Sequence, residues 1–159
     1  MRKALFLDRD GVINVDEGYV HKISDFKFID GIFDFCKKYQ AKGYLIIIIT
    51  NQAGIARGYY SHEDFAKLTI WMTEQFKLHG IDIAKVYYCP HHPDFDIDCN
   101  CRKPNPGMIF DAKREFDINI PESVLIGDKP SDIAAGRSAG IEKLILINSN
   151  MPTFSVEVY

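Results

Sequence analysis

The stretch Ala4-Leu5-Phe6-Leu7-Asp8-Arg9-Asp10-Gly11-Val12-Ile13-Asn14 is an apolar run that ends abruptly on two carboxylates. Consecutive apolar residues bounded by polar ones read as a short strand covered on both faces. Ionised aspartate is costly to bury unless a cation, a metal or hydrogen bonds answer it. Side chains two apart on an extended backbone project the same way, so Asp8 and Asp10 are expected to face one site. Such a pair suits a divalent metal together with a nucleophile and its acid/base partner. The bland alternative, for one Asp after a strand, is a helix N-cap or turn residue. Two Asp with Arg9 between them and Gly11 after them argue against it.

Working outward, apolar runs at 3–7, 44–49, 85–89, 123–126 and 143–147 alternate with helix-period segments at about 30–42, 61–79, 106–116 and 130–139. The run Tyr44-Leu45-Ile46-Ile47-Ile48-Ile49 is unbroken and mostly β-branched, as expected of a strand with helices on both faces. Alternation of this kind predicts an α/β fold: a Rossmann-like parallel sheet flanked by helices, with right-handed crossovers. Ser61 is expected to cap the second helix with Asp64 at its third position. Pro130 can open the fourth helix and Gly140 stop it. Apolar residues at 32, 35, 36 and 39 share one helical face, so Cys36 reads as a buried small hydrophobe.

The 159 residues fit one domain, 1–159, large enough to bury most of its apolar surface. A net charge of -3 leaves no polybasic footprint for nucleic acid or anionic lipid. No apolar stretch approaches a membrane span, and Met1-Arg2-Lys3 leads straight into the first strand. The expectation is a cytoplasmic monomer that binds neither nucleic acid nor membrane.

In open α/β sheets, ligands bind beyond the carboxyl ends of the strands, where the strand order switches. Polar residues gather there: Asp8 and Asp10 after the first strand, Thr50-Asn51-Gln52 after the second, Gly127-Asp128-Lys129 after the fourth. Thr50 alone would be an ordinary cap, and Asp128 alone an ordinary turn residue. Three polar endings at one edge of one sheet make a single site the more economical reading.

Asp8-x-Asp10-Gly11-Val12, Thr50-Asn51, Lys103, and Gly127-Asp128 with Asp132 together resemble the four-part signature of the haloacid-dehalogenase-like phosphatases. The resemblance implies Asp8 as nucleophile, forming an aspartyl-phosphate, and Asp10 as general acid/base. Attack by one anion on another needs a cation. At an effective dielectric near 20, unit charges about 4 Å apart interact by roughly 4 kcal/mol. Mg²⁺ held by Asp8, Asp128 and the backbone carbonyl of Asp10 would turn that repulsion into attraction, with Thr50 and Lys103 completing the phosphate cradle. For Lys103 the bland reading is a surface salt bridge.

Cys89-Pro90-His91-His92-Pro93 and Cys99-Asn100-Cys101 put C-x-H and C-x-C pairs within thirteen positions. Cys₃His is a normal closed structural Zn²⁺ set; free or redox-active thiols are the alternative. Both histidines could ligate. Resemblance favours His91, giving Cys89, His91, Cys99 and Cys101 in a zinc loop at 89–101. Arg102 and Lys103 follow directly; Arg102 suits substrate recognition and Lys103 the transferred phosphoryl.

The zinc loop is similar to that of two branches of the family. One hydrolyses the 7-phosphate of D-glycero-D-manno-heptose 1,7-bisphosphate; the other acts on histidinol phosphate. Gly54-Ile55-Ala56-Arg57-Gly58 and Gly18-Tyr19-Val20 favour the heptose branch, although the loop between His91 and Cys99 is shorter than is usual there. An inactive zinc-ordered binding module and a phosphotransferase are the further rivals. There is no room for a cap domain, so loops 16–20, 51–58 and 90–103 are expected to enclose the substrate, a small sugar bisphosphate. Resemblance places Asp16, Glu17, Gly18 and Tyr19 near the sugar, with Glu17 equally suited to a solvated turn. Asn51 and Gln52 belong to the same enclosure. Arg57 or Arg102, with Lys129 nearby, could hold the distal phosphate.

Overall fold

The computed structural model describes residues 1–96 and 98–148; the last part of the expected domain, 149–159, lies outside the described residues. The elements follow in the order β1 (Ala4–Leu7), α1 (Ile32–Ala41), β2 (Leu45–Asn51), α2 (His62–Leu78), β3 (Ile83–Cys89), α3 (Gly107–Phe116), β4 (Val124–Gly127), α4 (Pro130–Ala139) and β5 (Lys143–Leu146). The five strands form one sheet in the order β3-β2-β1-β4-β5, with every pair parallel. The expected α/β class and every expected element are present.

The alternation of side chains along the strands sorts the core into two layers. Leu5, Leu7, Ile46, Ile48 and Ile126 pack on one face against Ile32, Phe35 and Cys36 of α1 and Leu68, Met72 and Phe76 of α2. Ala4, Phe6, Ile47, Ile49 and Leu125 pack on the other against Met108, Ile109 and Ala112 of α3 and Ala135 of α4. Burial on both faces is why β1 and β2 read as unbroken apolar runs. The Ser61–Asp64 capping box forms in both directions, Pro130 begins α4, and Gly140 ends it in the left-handed region.

Successive strands leave β1 in both directions, to β2 on one side and to β4 on the other, so the switch in strand order lies at β1. Leu7 pairs with Ile48 and with Ile126, and the Asp8 N–H donates to Ile126 O at 3.2 Å. Asp8 therefore emerges beside the end of β4. β2 continues two residues past the expected limit, to Asn51, and pairs Asn51 with Cys89. That register carries the cysteine loop to the same edge of the sheet.

One expectation about β1 is corrected. The strand ends at Leu7, and residues 9–14 form a tight turn in which the N–H groups of Val12, Ile13 and Asn14 point to Arg9 O. Asp8 and Asp10 are thus presented by a turn and not by the pleat of a strand. Gly11, at φ 91°, occupies the left-handed position the turn needs.

Candidate active site

Asp8 is 7% exposed and Lys103 4%. The Lys103 ammonium stands 2.9 Å from Asp8 Oδ1 and 2.6 Å from Asp132 Oδ1, and donates to Ile49 O at 2.9 Å. Asp132 sits at the third position of α4, where its other oxygen accepts from the N–H groups of Asp128 and Lys129, both at 3.1 Å. This close seat depends on Gly127, where a Cβ would fall 2.2 Å from Asp132 Cβ. Carboxylate oxygens of Asp8, Asp128 and Asp132 all lie within 4.8 Å of one another.

Three carboxylates so close cannot all be comfortably ionised without a cation. Burial, with the charges of Asp132 and Asp10 adding to it, pushes the Asp8 carboxyl up to about 8 despite Lys103. Burial also raises Asp128, and the Asp132 charge adds to the effect. Burial works against the charge on Lys103, but the anions of Asp8 and Asp132 outweigh it and the ammonium holds its proton more firmly than usual. Asp128 Oδ1 is buried with no hydrogen-bond partner among the described residues. An orphaned oxygen beside an unsettled carboxylate is the donor set a hard divalent cation fits.

The Asp10 carboxylate lies outside that group. Its Oδ1 accepts from Arg9 Nε at 3.1 Å, Arg9 Nη2 at 3.0 Å and Asn14 Nδ2 at 2.9 Å. Its Oδ2 lies 3.2 Å from Arg9 Nη2 and 3.4 Å from Gln52 Nε2. Thr50, 1% exposed, stands at the end of β2 with its hydroxyl 3.0 Å from Gln52 Nε2. Gln52 in turn accepts from the Tyr60 hydroxyl.

Above these groups opens a cavity of about 520 Å³, within the range of small-molecule sites. Asp10, Asp16, Gly18, Tyr19, Asn51 and Gln52 line it together with the cations Arg102, Lys103 and Lys129, the Lys129 ammonium standing 3.8 Å from Asp16 Oδ2. A groove of about 510 Å³ near the start of α3, lined by Asn105, Phe110, Asp111 and Arg114, has none of the paired carboxylates. Asn51 locks the floor to the loop that brings Lys103: its amide donates to Lys103 O at 3.2 Å, and Lys103 N donates back to Asn51 Oδ1 at 3.0 Å. Loop 16–21 is pinned to loop 53–60 by edge-on Tyr19–Tyr59 rings, 4.8 Å apart, and stacked His21–Tyr60 rings, 4.9 Å apart.

Of the expected site residues, Asp8, Thr50 and Asp128 do not line the cavity, although Asp8 touches Lys103 and Thr50 touches Gln52, which do; Glu17 and Arg57 turn elsewhere. Glu17 turns outward and pairs with Lys27 Nζ at 3.0 Å, both side chains being largely exposed, so its solvated-turn reading is the one the structure supports. Arg57 points to His92 Nε2 at 3.3 Å and stacks 5.4 Å from Phe95, which leaves Arg102 and Lys129 as the wall cations beside Lys103. In the cysteine loop, the sulfurs of Cys89, Cys99 and Cys101 converge within 4.8 Å, Cys89 and Cys101 as a disulfide and Cys99 at 3.6 Å from Cys89. His91 is outside that group: its imidazole is half exposed and its Nδ1 lies 3.6 Å from Asp96 Oδ2.

Asp132 and Arg9 are the residues that sequence reasoning left without a role. A carboxylate at the third position of a proline-initiated helix was a readable signal for Asp132. For Arg9 the sequence shows only its adjacency to Asp10; the Val20 carbonyl and the Phe26 and Phe65 rings that hold its guanidinium come from other segments. Among the described residues, no helix is long and apolar enough to cross a membrane.

A parallel sheet with carboxylates at the tips of β1 and β4 and a buried lysine between them is the arrangement expected from the resemblance to haloacid-dehalogenase-like phosphatases. A sequence model described as HAD-hydrolase-like matches residues 100–151. The chain is 53% identical to D-glycero-alpha-D-manno-heptose-1,7-bisphosphate 7-phosphatase of Campylobacter jejuni, over 92% of this chain and 83% of that protein. It is 46% identical to the D-glycero-beta-D-manno-heptose-1,7-bisphosphate 7-phosphatase of Pasteurella multocida, over 96% of this chain and 85% of that one. Its fold superposes on the crystal structure of D,D-heptose 1,7-bisphosphate phosphatase from B. bronchiseptica, complexed with magnesium and phosphate. The TM-score is 0.83 at 29% identity, covering 90% of this chain and 79% of that one. The chain belongs to the D-glycero-D-manno-heptose-1,7-bisphosphate 7-phosphatase family of haloacid-dehalogenase-like hydrolases.

Proposed function

We propose that the protein hydrolyses the 7-phosphate of D-glycero-D-manno-heptose 1,7-bisphosphate, releasing heptose 1-phosphate and inorganic phosphate. The buried Asp8–Lys103–Asp132 chain under a cation-walled cavity carries this reading, and the names of the relatives select the substrate. Asp8 attacks phosphorus while Asp10 protonates the departing sugar oxygen. Asp10 then takes a proton from the water that cleaves the aspartyl-phosphate. Lys103, with the Thr50 hydroxyl, answers the charge on the transferred phosphoryl oxygens. Arg102 and Lys129, which line the cavity, would hold the distal phosphate, and Asp16 would meet the sugar hydroxyls, with Asn51 and Gln52 holding the floor beneath.

Asp8, Asp128 and the backbone carbonyl of Asp10 would hold Mg²⁺, whose charge, when bound, offsets repulsion between nucleophile and phosphate. Asp132 holds this shell in place, since both its oxygens are already engaged. A Cβ at Gly11 would fall 2.1 Å from Asp128 Oδ2 on a φ of 91°. Gly11→Ala should therefore weaken Mg²⁺ binding by roughly tenfold or more, the scale of losses around a metal's ligands, and destabilise the fold by about 1–3 kcal/mol. Calorimetric Mg²⁺ titration and urea unfolding read the two effects; unchanged affinity would remove Asp128 from the metal site.

Cys89, Cys99 and Cys101, reduced and joined by His91, would hold a structural Zn²⁺; the convergence of three sulfurs supports this. Elemental analysis of protein purified without chelator should find about one zinc per chain. Zinc-free protein with Cys89 and Cys101 oxidised to each other would rule the site out.

The activity is tested by assaying both anomers of the heptose bisphosphate beside histidinol phosphate, with ³¹P NMR to identify which phosphate leaves. Stoichiometric inorganic phosphate and an intact anomeric phosphate are expected. A higher kcat/KM for histidinol phosphate, or transfer of the phosphoryl to a second sugar, would replace this reading.

A further inference from the structure

Arg9 is 1% exposed and, among the described residues, is the largest that is sealed from solvent. Removing a guanidinium from water costs several kcal/mol unless geometry and hydrogen bonds answer it. Here a carboxylate, a carbonyl and two rings answer it. Nε and Nη2 fork onto Asp10, Nη2 also donates to Val20 O at 2.7 Å, and the guanidinium lies 5.8 Å from the Phe26 ring and 5.9 Å from that of Phe65. A planar fork locked by two rings and a carbonyl has one orientation, and so does the carboxylate it grips.

Three of the donors around Asp10, Arg9 Nε, Arg9 Nη2 and Asn14 Nδ2, converge on Oδ1. Among the described residues, Oδ2 has only the longer contacts to Arg9 Nη2 and Gln52 Nε2. Asp10 also lines the cavity. The carboxylate is therefore turned so that one oxygen is anchored and the other is the freer one.

We propose that Arg9 is a positioning residue for proton transfer. It fixes Asp10 with Oδ2 as the oxygen that hands over the proton, and through Val20 it fastens Asp10 to loop 16–20 at the cavity mouth. The inference rests on Asp10 being the general acid. In the step concerned, the Asp8 oxygen–phosphorus bond forms, the bond from phosphorus to the leaving oxygen breaks, and the proton passes from Asp10 to that oxygen.

A leaving group that is already stable as an anion needs no proton, so positioning and fold integrity can be separated. Arg9→Lys keeps the charge without the fork, and Arg9→Gln keeps a donor without the charge; either suffices should the other fail to fold. kcat/KM is measured on the sugar bisphosphate and on 2,4-dinitrophenyl phosphate. Each variant should lose about 100-fold or more on the sugar ester, the lower range of general acid contributions, and under about fivefold on the aryl ester. Equal losses on both substrates, or none on either, would overturn the proposal. Asp10→Asn is run beside them. If Asp10→Asn lacks the leaving-group dependence, the general-acid reading falls and this inference with it. If Asp10→Asn shows it and the Arg9 variants do not, the inference alone falls.

Discussion

Replacing Asp8 with asparagine should abolish turnover, with kcat falling about 10⁴-fold or more, the scale on which losing a nucleophile acts. The fold should survive the change. Asp8 is buried beside Asp132 and Asp10, and its carboxyl is pushed up to about 8 in the metal-free protein. The sign of the stability effect follows. In the unfolded chain this carboxyl ionises at its ordinary value of 3.8, whereas in the folded chain it keeps its proton to about 8. The folded state therefore binds more protons across roughly pH 4–8, and stability from this group is lost as pH rises through that window. Asp8→Asn, which cannot ionise, should flatten this slope. Thermal melts in chelator from pH 5 to pH 8 test the stability, and phosphate release tests the chemistry. Activity within a hundredfold of wild type would refute the nucleophile, and an unchanged pH slope would refute the electrostatic account.

Lys103→Met should produce the largest loss of stability from a single change at the site. Methionine roughly fills the volume, so the loss isolates the charge. Without the ammonium, Asp8 Oδ1, Asp132 Oδ1 and the Ile49 carbonyl lose their shared partner in a place that is 4% exposed. Removing one member of a buried charge pair costs about 3–5 kcal/mol. The loss should shrink as pH falls toward 5, because the Asp8 carboxyl, already pushed up by burial, then holds its proton and removes its share of the uncompensated charge. Lys103→Arg should not rescue the protein, since a planar fork does not fit the space of an ammonium. By contrast, the exposed Glu17–Lys27 pair belongs to a class worth about 0–1 kcal/mol. Urea unfolding at pH 7.5 and pH 5 measures the difference; a midpoint within error of wild type at both values would mean that Lys103 is not the buried counter-charge.

The two variants bear on different parts of one arrangement. Asp8 is destabilising where it stands and Lys103 is stabilising, so their effects on folding should have opposite signs while both remove activity. This pattern is expected at a site where strain is retained for chemistry and offset by neighbouring residues.

Much of the arrangement is legible in the sequence. The unbroken apolar runs of β1 and β2, the Ser61–Asp64 cap, Pro130 and Gly140 are local signals, and local signals survive folding when they agree with the global pattern. Asp8, Thr50 and Asp128 could be assigned to one edge because strand ends in a parallel sheet share that edge. Glu17 was ambiguous for a local reason as well: an acidic residue in a turn reads the same whether it faces a sugar or water, and the Lys27 ammonium decided between them. His91 shows a similar limit, since spacing can propose a ligand but cannot orient an imidazole that has Asp96 beside it.

Sequence alone determined the α/β class, the elements and the polar residues at the strand tips, because side-chain period and capping chemistry act over a few residues. Only tertiary structure decided the partnerships among buried charges. Strand order placed Lys103, ninety-five positions along the chain, between Asp8 and Asp132. Packing brought the Val20 carbonyl and the Phe65 ring to the guanidinium of Arg9. Buried ions must find opposite charge within a few ångströms, and which groups come that close is set by register and topology, to which no local pattern gives access.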